Sequence, residues 1–268
     1  MKKTPTPASH TVRLKVKPYQ YTIIYTKNCI FRIKEEKKHE EITIQKGGIV
    51  FIEKNLNIKI NIIKDCNEDR YEVHSLSNET VRRLLDVLTP VMCFPAERTA
   101  GNRNLHDKIH SIPGTEVNRE LFHSVKHTKE EKKVNIYELA YLISKVDNPA
   151  AIYTSLCISA SQFFSDRVRD IISSDTSKKW RLANLSEELN LSEVAVRKKL
   201  ETESTNFNQL LLDIRMQKAA RLILDENYHV NKVSLMVGMS SSSYFIKTFS
   251  TYYGITPKQF YLHYKTSK

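Results

Sequence analysis

The sequence predicts an α+β chain of two domains: a β-rich N-terminal half with added helices, and an all-α C-terminal half in which a long helix joins two helix-turn-helix units. Three observations predict it. Between residues 12 and 76, apolar and polar side chains alternate with the period of two that a half-buried strand requires. From residue 165 onward the apolar spacing is helical throughout. Within that helical stretch, residues 182–192 repeat at 230–240.

The strands come first. Tyr21–Tyr25, Glu41–Gln45, Ile49–Ile52 and Asn57–Ile63 are short runs of β-forming residues, and Ile58, Ile60 and Ile62 alternate with polar neighbours. Lys46-Gly47-Gly48 is a turn signal between two of them. Six or seven such strands suggest a β-sandwich or a small barrel. Asn78 can cap a helix through Val81, Leu84, Leu85 and Leu88, which Pro90 ends. The stretch from Cys93 to Gly114 contains Pro95, Gly101, Pro113 and Gly114 and reads as irregular. Helices follow near 116–127, 134–146 and 149–161. The second of these gathers Ile136, Leu139, Ala140, Leu142, Ile143 and Val146 on one broad face, which serves as core or as a dimer surface. The domain boundary falls near 162, giving a first domain of 1–162 and a second of 163–268.

In the second domain a helix starts at Ser165 or Asp166, followed by Asn184–Asn190, Ser192–Glu203, a long Phe207–Asp225, Val230–Val237, Ser242–Tyr252 and a last helix after Pro257. At an offset of 48, Leu182, Leu185, Leu189 and Leu191 match Val230, Val233, Val237 and Met239, and Ser186 and Ser192 match Ser234 and Ser240. Asn190 matches Gly238, and both types tolerate the left-handed conformation that ends a helix. Beyond the turn an offset of 49 pairs Val196 with Phe245 and Leu200 with Phe249. Each unit is thus a short helix, a tight turn and a second helix of the kind that enters the major groove. At about 100° per residue, inward Val196 and Leu200 place Val194 and Lys198 opposite, with Ala195 and Arg197 on the flanks. Inward Phe245 and Phe249 place Ser243 and Lys247 opposite, flanked by Tyr244 and Ile246. Arg, Lys and Ser can bond bases or phosphates, and apolar side chains can touch a thymine methyl. Double-stranded DNA is the partner this predicts.

Composition narrows the alternatives. The formal net charge is +12, which suits an anionic partner. It does not locate the DNA-binding half: residues 165–268 hold 16 Lys and Arg against 11 Asp and Glu, a net of +5, and the first 164 hold 26 against 19, a net of +7. No run of about 18 apolar residues exists, and the basic N-terminus lacks the apolar core of a secretory signal, so the protein reads as cytoplasmic with no membrane span. Cysteines 29, 66, 93 and 157 are isolated and read as reduced thiols. His106/His110 and His123/His127 have the i,i+4 spacing of a metal clamp on a helix, but surface histidines in a helical region are the expectation, and no metal is assigned. No G-x-S-x-G, P-loop or G-x-G-x-x-G is present among only six glycines, so no enzymatic activity and no catalytic residue is predicted. An RNA-binding or interaction module would need exposed aromatics on a sheet, whereas these aromatics sit mostly at core spacing.

Residues 165–264 resemble the AraC/XylS family of bacterial transcription regulators. The resemblance is strongest over Ser243–Phe260, with an aromatic every four residues, then Gly254, Thr256-Pro257 and Phe260. Leu191–Glu201, Asn206-Phe207, Asp213–Met216 and, more loosely, Tyr21–Ile30 resemble the virulence-activator branch of enteric pathogens, of the Rns, VirF and ToxT kind. The resemblance implies a cupin-like N-terminal domain that binds a small effector and supports a homodimer. It also implies promoter activation through RNA polymerase, often by displacing a nucleoid silencer. A promoter repressor or anti-silencer without a small ligand is the alternative. In related regulators a carboxylate such as a fatty acid is held by basic residues between the domains. The loosely matching positions here, Tyr19 and Ser75, carry no cation. Lys17, His229 and Lys232 are the substitute candidates beside Tyr19 for a fatty acid or bicarbonate, and ordinary solvated surface is the alternative.

Overall fold

Seven strands follow one another between residues 10 and 76, and an eighth joins them from beyond the first helix. In the computed structural model, which describes residues 10–35, 40–64, 71–92, 103–127, 134–225 and 229–265, they are β1 (His10–Val16), β2 (Tyr21–Tyr25), β3 (Cys29–Glu35), β4 (Glu41–Ile44), β5 (Ile49–Ile52), β6 (Ile58–Lys64), β7 (Glu72–Leu76) and β8 (Ile109–Ile112). They form two four-stranded antiparallel sheets, ordered β1-β6-β3-β4 and β7-β2-β5-β8. Val12, Leu14, Phe31, Ile33, Ile42, Ile58, Ile60 and Ile62 of the first sheet are buried while their neighbours are exposed, the pattern of a sheet with one solvated face. Every residue of β2 and β5 is buried, so the centre of the second sheet is covered on both sides, while its edge strands β7 and β8 keep exposed positions. Tyr21, Ile23, Tyr25, Ile49 and Phe51 pack against helices α1 (Asn78–Leu88), α2 (Glu116–His127), α3 (Ile136–Ser144) and α4 (Pro149–Ala160). The alternate residues Ile24, Val50 and Ile52 point the other way, toward the first sheet. The layers therefore run sheet, sheet, helices. The chain divides into two compact units, this one on Met1–Ser161 and a second on Gln162–Thr266.

Three local expectations are corrected. Ser77, not Asn78, caps α1: its Oγ accepts from the Thr80 N–H at 3.1 Å, and Asn78 is already helical. The stretch read as irregular holds β8, which pairs with β5 in the register Ile49↔Ile112 to Ile52↔Ile109. Four residues including His110 and Ser111 are too short and too polar to show a period of two; a distant strand stabilises them instead. His110 is consequently a buried strand residue, and His106 sits in a 3-10 turn at Leu105–Asp107, so this pair shares no helix. His123 and His127 do share α2, with stacked rings 6.0 Å apart. Cys29 is buried and its Sγ donates to the Thr26 carbonyl at 3.2 Å, Cys157 is half-buried, and Cys66, Cys93, Pro95 and Gly101 lie outside the described residues.

A buried polar network holds β8 in place. The Glu53 carboxylate receives Arg103 at 2.7 and 3.0 Å, and Arg103 also donates to the Asp107 carbonyl. Burial pushes the Glu53 carboxyl above its usual range, although Arg103 opposes this. Burial, helped by the Arg103 charge, pulls the His110 imidazole down to about 4. Below about pH 6.5 an unfolded chain takes up a proton that the folded His110 refuses. This unit should therefore lose up to about 3 kcal/mol as pH falls from 6.5 towards 4, with relief of buried Glu53 offsetting part of it. Urea unfolding of the full chain between pH 7.5 and 5 measures it. Replacement by His110→Gln should flatten the dependence, and an equally steep curve in that variant would refute the assignment.

The second unit is helical: α5 (Phe164–Ser174), α6 (Leu182–Leu189), α7 (Glu193–Thr202), α8 (Phe207–Asp225), α9 (Val230–Met236), α10 (Ser242–Tyr253) and α11 (Pro257–Lys265). It has two cores and one shared helix. Leu210 and Ile214 of α8 pack with Val168, Ile172, Leu185, Leu189, Val196 and Leu200. Met216, Ala219 and Ile223 pack with Val233, Val237, Phe245, Phe249, Tyr253 and Phe260. This division explains why α8 is apolar on most sides. The first core is closed by Glu203, whose carboxylate accepts from the Phe164 and Ser165 N–H groups at 2.5 and 2.9 Å and so caps α5 with a favourable negative charge. Among the described residues no helix is long and apolar enough to cross a membrane.

Candidate nucleic-acid interface

The two helix-turn-helix units are built by the same hydrogen bonds. In the first, Ser186 Oγ donates to the Ala183 carbonyl at 2.8 Å, and the Leu191 N–H closes on Ser186 O at 3.0 Å. In the second, Ser234 Oγ donates to the Asn231 carbonyl at 2.8 Å, and the Met239 N–H closes on Ser234 O at 2.8 Å. Every participant is displaced by 48 residues. The turn residues, Asn190 at φ 52° and Gly238 at φ 70°, both lie in the left-handed region. The register then slips. Ser192 Oγ accepts from the Ala195 N–H at 3.2 Å to cap α7, and Ser241 Oγ accepts from the Tyr244 N–H at 3.3 Å to cap α10. The matched serines of the turn are thus Ser192 and Ser241, not Ser240. Ser240 is the added residue, because the cap must be the last extended residue before the helix.

Val196 and Leu200 of α7, and Phe245 and Phe249 of α10, are fully buried. The opposite faces are wet. Val194 is 58% exposed and Lys198 is exposed, while Ala195 is half-buried. Arg197 is exposed and lies 3.2 Å from the Glu193 carboxylate one turn earlier. On α10, Ser243 and Lys247 are exposed, Tyr244 is 61% exposed and Ile246 39% exposed. The first face is cationic, and the second presents one cation among hydroxyl and apolar groups.

Sequence reasoning missed a latch between the two units. Thr176 Oγ1 donates to the Met236 carbonyl at 3.1 Å, and the Arg215 Nη2 donates to the Lys178 carbonyl at 3.2 Å. Gly238 packs on the same 176–178 backbone. Burial holds the Arg215 pKa below the usual arginine value, and nearby Tyr244 opposes this. In the sequence Arg215 stands between Ile214 and Met216, which serve the two cores.

The effector candidates fall in separate units. In the first, the Lys17 ammonium lies 5.4 Å from the centroid of the buried Tyr19 ring. In the second, His229 and Lys232 are exposed at the start of α9. No three His, Cys, Asp or Glu side chains gather as a metal site among the described residues.

Residues 185–262 match a family described as a helix-turn-helix domain. The chain is 41% identical over 254 residues to the virulence regulon transcriptional activator VirF of Shigella flexneri, covering 95% of this chain and 96% of that one. It is 40% identical over 249 residues to the DNA-binding dual transcriptional regulator Rns of Escherichia coli, covering 92% of each. Its fold is that of ToxT from Vibrio cholerae, with a TM-score of 0.66 at 15% identity, covering 96% of this chain and 98% of that one. An unsaturated-fatty-acid-bound form of ToxT matches with a TM-score of 0.62 at 15% identity, covering 99% of each chain.

Proposed function

The chain belongs to the AraC/XylS family, in its branch of DNA-binding virulence-gene activators, and from that membership we propose how it reads a promoter: each recognition helix, α7 and α10, takes one half-site in the major groove. The observation that supports this is the duplicated turn, which presents two exposed faces from one unit. On α7, Lys198 and Arg197 bond guanine edges or phosphates, and Val194 and Ala195 meet thymine methyls. On α10, Lys247 and Ser243 make the polar contacts, and Tyr244 and Ile246 the apolar ones. The latch and α8 hold the two helices about one turn of DNA, ~34 Å, apart. The activator works in the cytoplasm, recruits RNA polymerase and pairs as a homodimer. A small carboxylate such as a fatty acid or bicarbonate tunes it; Lys17 and Tyr19 are the candidates on the first unit and, taken separately, His229 and Lys232 those on the second. The fatty acid bound by ToxT supports that ligand class.

Footprinting of single variants tests the assignment. Lys198→Ala and Lys247→Ala should each weaken operator binding by about 10-fold, within the 1–3 kcal/mol of a good base contact. Protection should fade at a different half-site in each. Wild-type footprints from both variants would refute the face assignment.

A further inference from the structure

The solvated face of the first sheet is strongly basic. Its outward positions are Thr11, Arg13 and Lys15 on β1, Lys59, Asn61 and Ile63 on β6, Ile30, Arg32 and Lys34 on β3, and Glu41 and Thr43 on β4. The register aligns them in rows. Lys59 sits directly between Lys15 and Lys34, and Asn61 between Arg13 and Arg32. Among the described residues the outward positions hold five cations and one carboxylate, Glu41, which lies 2.7 Å from Lys34. The net of these outward positions is five minus one, or +4. Adjacent strands are about 4.8 Å apart, and alternate residues on one strand about 6.7 Å apart, so the cations form a fixed grid. A polyanion laid on the grid would meet this net positive charge.

We propose that this sheet face is a second DNA-contacting surface, which takes the phosphate backbone of duplex DNA without reading its bases. The proposal rests on the DNA-binding role of the helical unit and extends it to the first unit. The residues between the cations choose the occupant. A surface for single-stranded RNA needs aromatics on the sheet for stacking, and none of the outward positions is aromatic. A lipid surface needs exposed apolar side chains to enter the acyl boundary. Here Thr11, Asn61 and Thr43 lie among the cations, and Ile30 and Ile63 are half-buried. Duplex phosphate needs only fixed positive charge, and each phosphate neutralised releases a counterion. The helical unit on the same chain brings DNA to high effective concentration, so weak contacts suffice.

The test uses the full chain and the triple variant Arg13→Gln, Arg32→Gln, Lys59→Gln on a duplex of about 60 base pairs carrying the operator at its centre, with affinity measured across a salt series. The expected result is a slope of log K against log salt shallower by about 2–3, because each phosphate contact contributes about 0.9. The footprint over both half-sites should be unchanged, and Arg13→Lys, Arg32→Lys should keep the wild-type slope. An unchanged slope in the triple variant would overturn the proposal. So would a footprint lost along with the slope, since the effect would then come through the recognition helices. A third overturning result is charge-dependent binding to equal-part phosphatidylserine and phosphatidylcholine vesicles with the DNA slope intact, which would make the face a lipid surface. Failure of the wild-type chain to bind any duplex would instead bring down the DNA-binding role itself.

Discussion

Phe249→Ala is expected to cost the helical unit about 3–5 kcal/mol, the range for a large aromatic removed from a packed core, and to erase one half-site from the footprint. Phe249 has no exposed surface. Its ring centroid lies 5.8 Å from Phe245, 4.6 Å from Tyr253 and 5.4 Å from Phe260, the last edge-on at 88°. Truncation therefore leaves a cavity walled by three rings that are anchored in two helices and cannot easily collapse. Stability of this size is a large fraction of what a domain has. Protection by α10 should disappear before that by α7, whose core contains no Phe249 contact. Urea unfolding combined with footprinting measures both effects, and a loss below about 1 kcal/mol would refute the packing role.

The second large effect concerns spacing. Gly238→Val should uncouple the two recognition helices while leaving each able to fold. A Cβ at Gly238 would stand 2.6 Å from Arg215 Nη2, 2.8 Å from Thr176 O and 3.0 Å from Ser177 O. Two of these obstacles are backbone and cannot swing aside. The φ of 70° adds about 1–2 kcal/mol for any side chain, and more for a β-branched one. The turn must move off the 176–178 segment, breaking the Thr176–Met236 and Arg215–Lys178 bonds. Affinity for a two-half-site operator should drop by roughly 100-fold, the scale of lost intramolecular advantage. The diagnostic is tolerance: the wild type should reject an operator whose half-sites are moved apart by about half a helical turn, and Gly238→Val should accept it nearly as well as the native spacing. Equal discrimination by both proteins would show that α8 alone sets the distance.

Legibility in the sequence followed the range of the interactions. The two turns were readable because each is closed within about ten residues, by Ser186 and Leu191 or by Ser234 and Met239. The face assignments of Lys198 and Lys247 followed from helical period alone, once Val196 and Phe245 were taken as inward. The slip at Ser240 was visible but misplaced by one residue, since apolar matching is blind to which serine is extended. The β8 strand, the Ser77 cap and the Arg215 latch escaped for different reasons. Strand β8 depends on β5, some sixty residues away; Ser77 and Asn78 are equally good caps by type; and Arg215 bonds a carbonyl in a distant loop. The basic sheet face was hidden because its five cations lie on three strands that only the pairing register brings together.

Helix α8 serves both cores over the same turns, Leu210 and Ile214 packing in one and Leu212 and Met216 in the other. A cut anywhere along it would leave a raw greasy stripe on each piece. Nature and the engineer therefore inherit the pair of reading heads as one indivisible part. On the proposed reading, exchanging the outward residues of α7 or α10 should carry over a new promoter preference, whereas swapping one half for that of a relative should leave both cores badly filled.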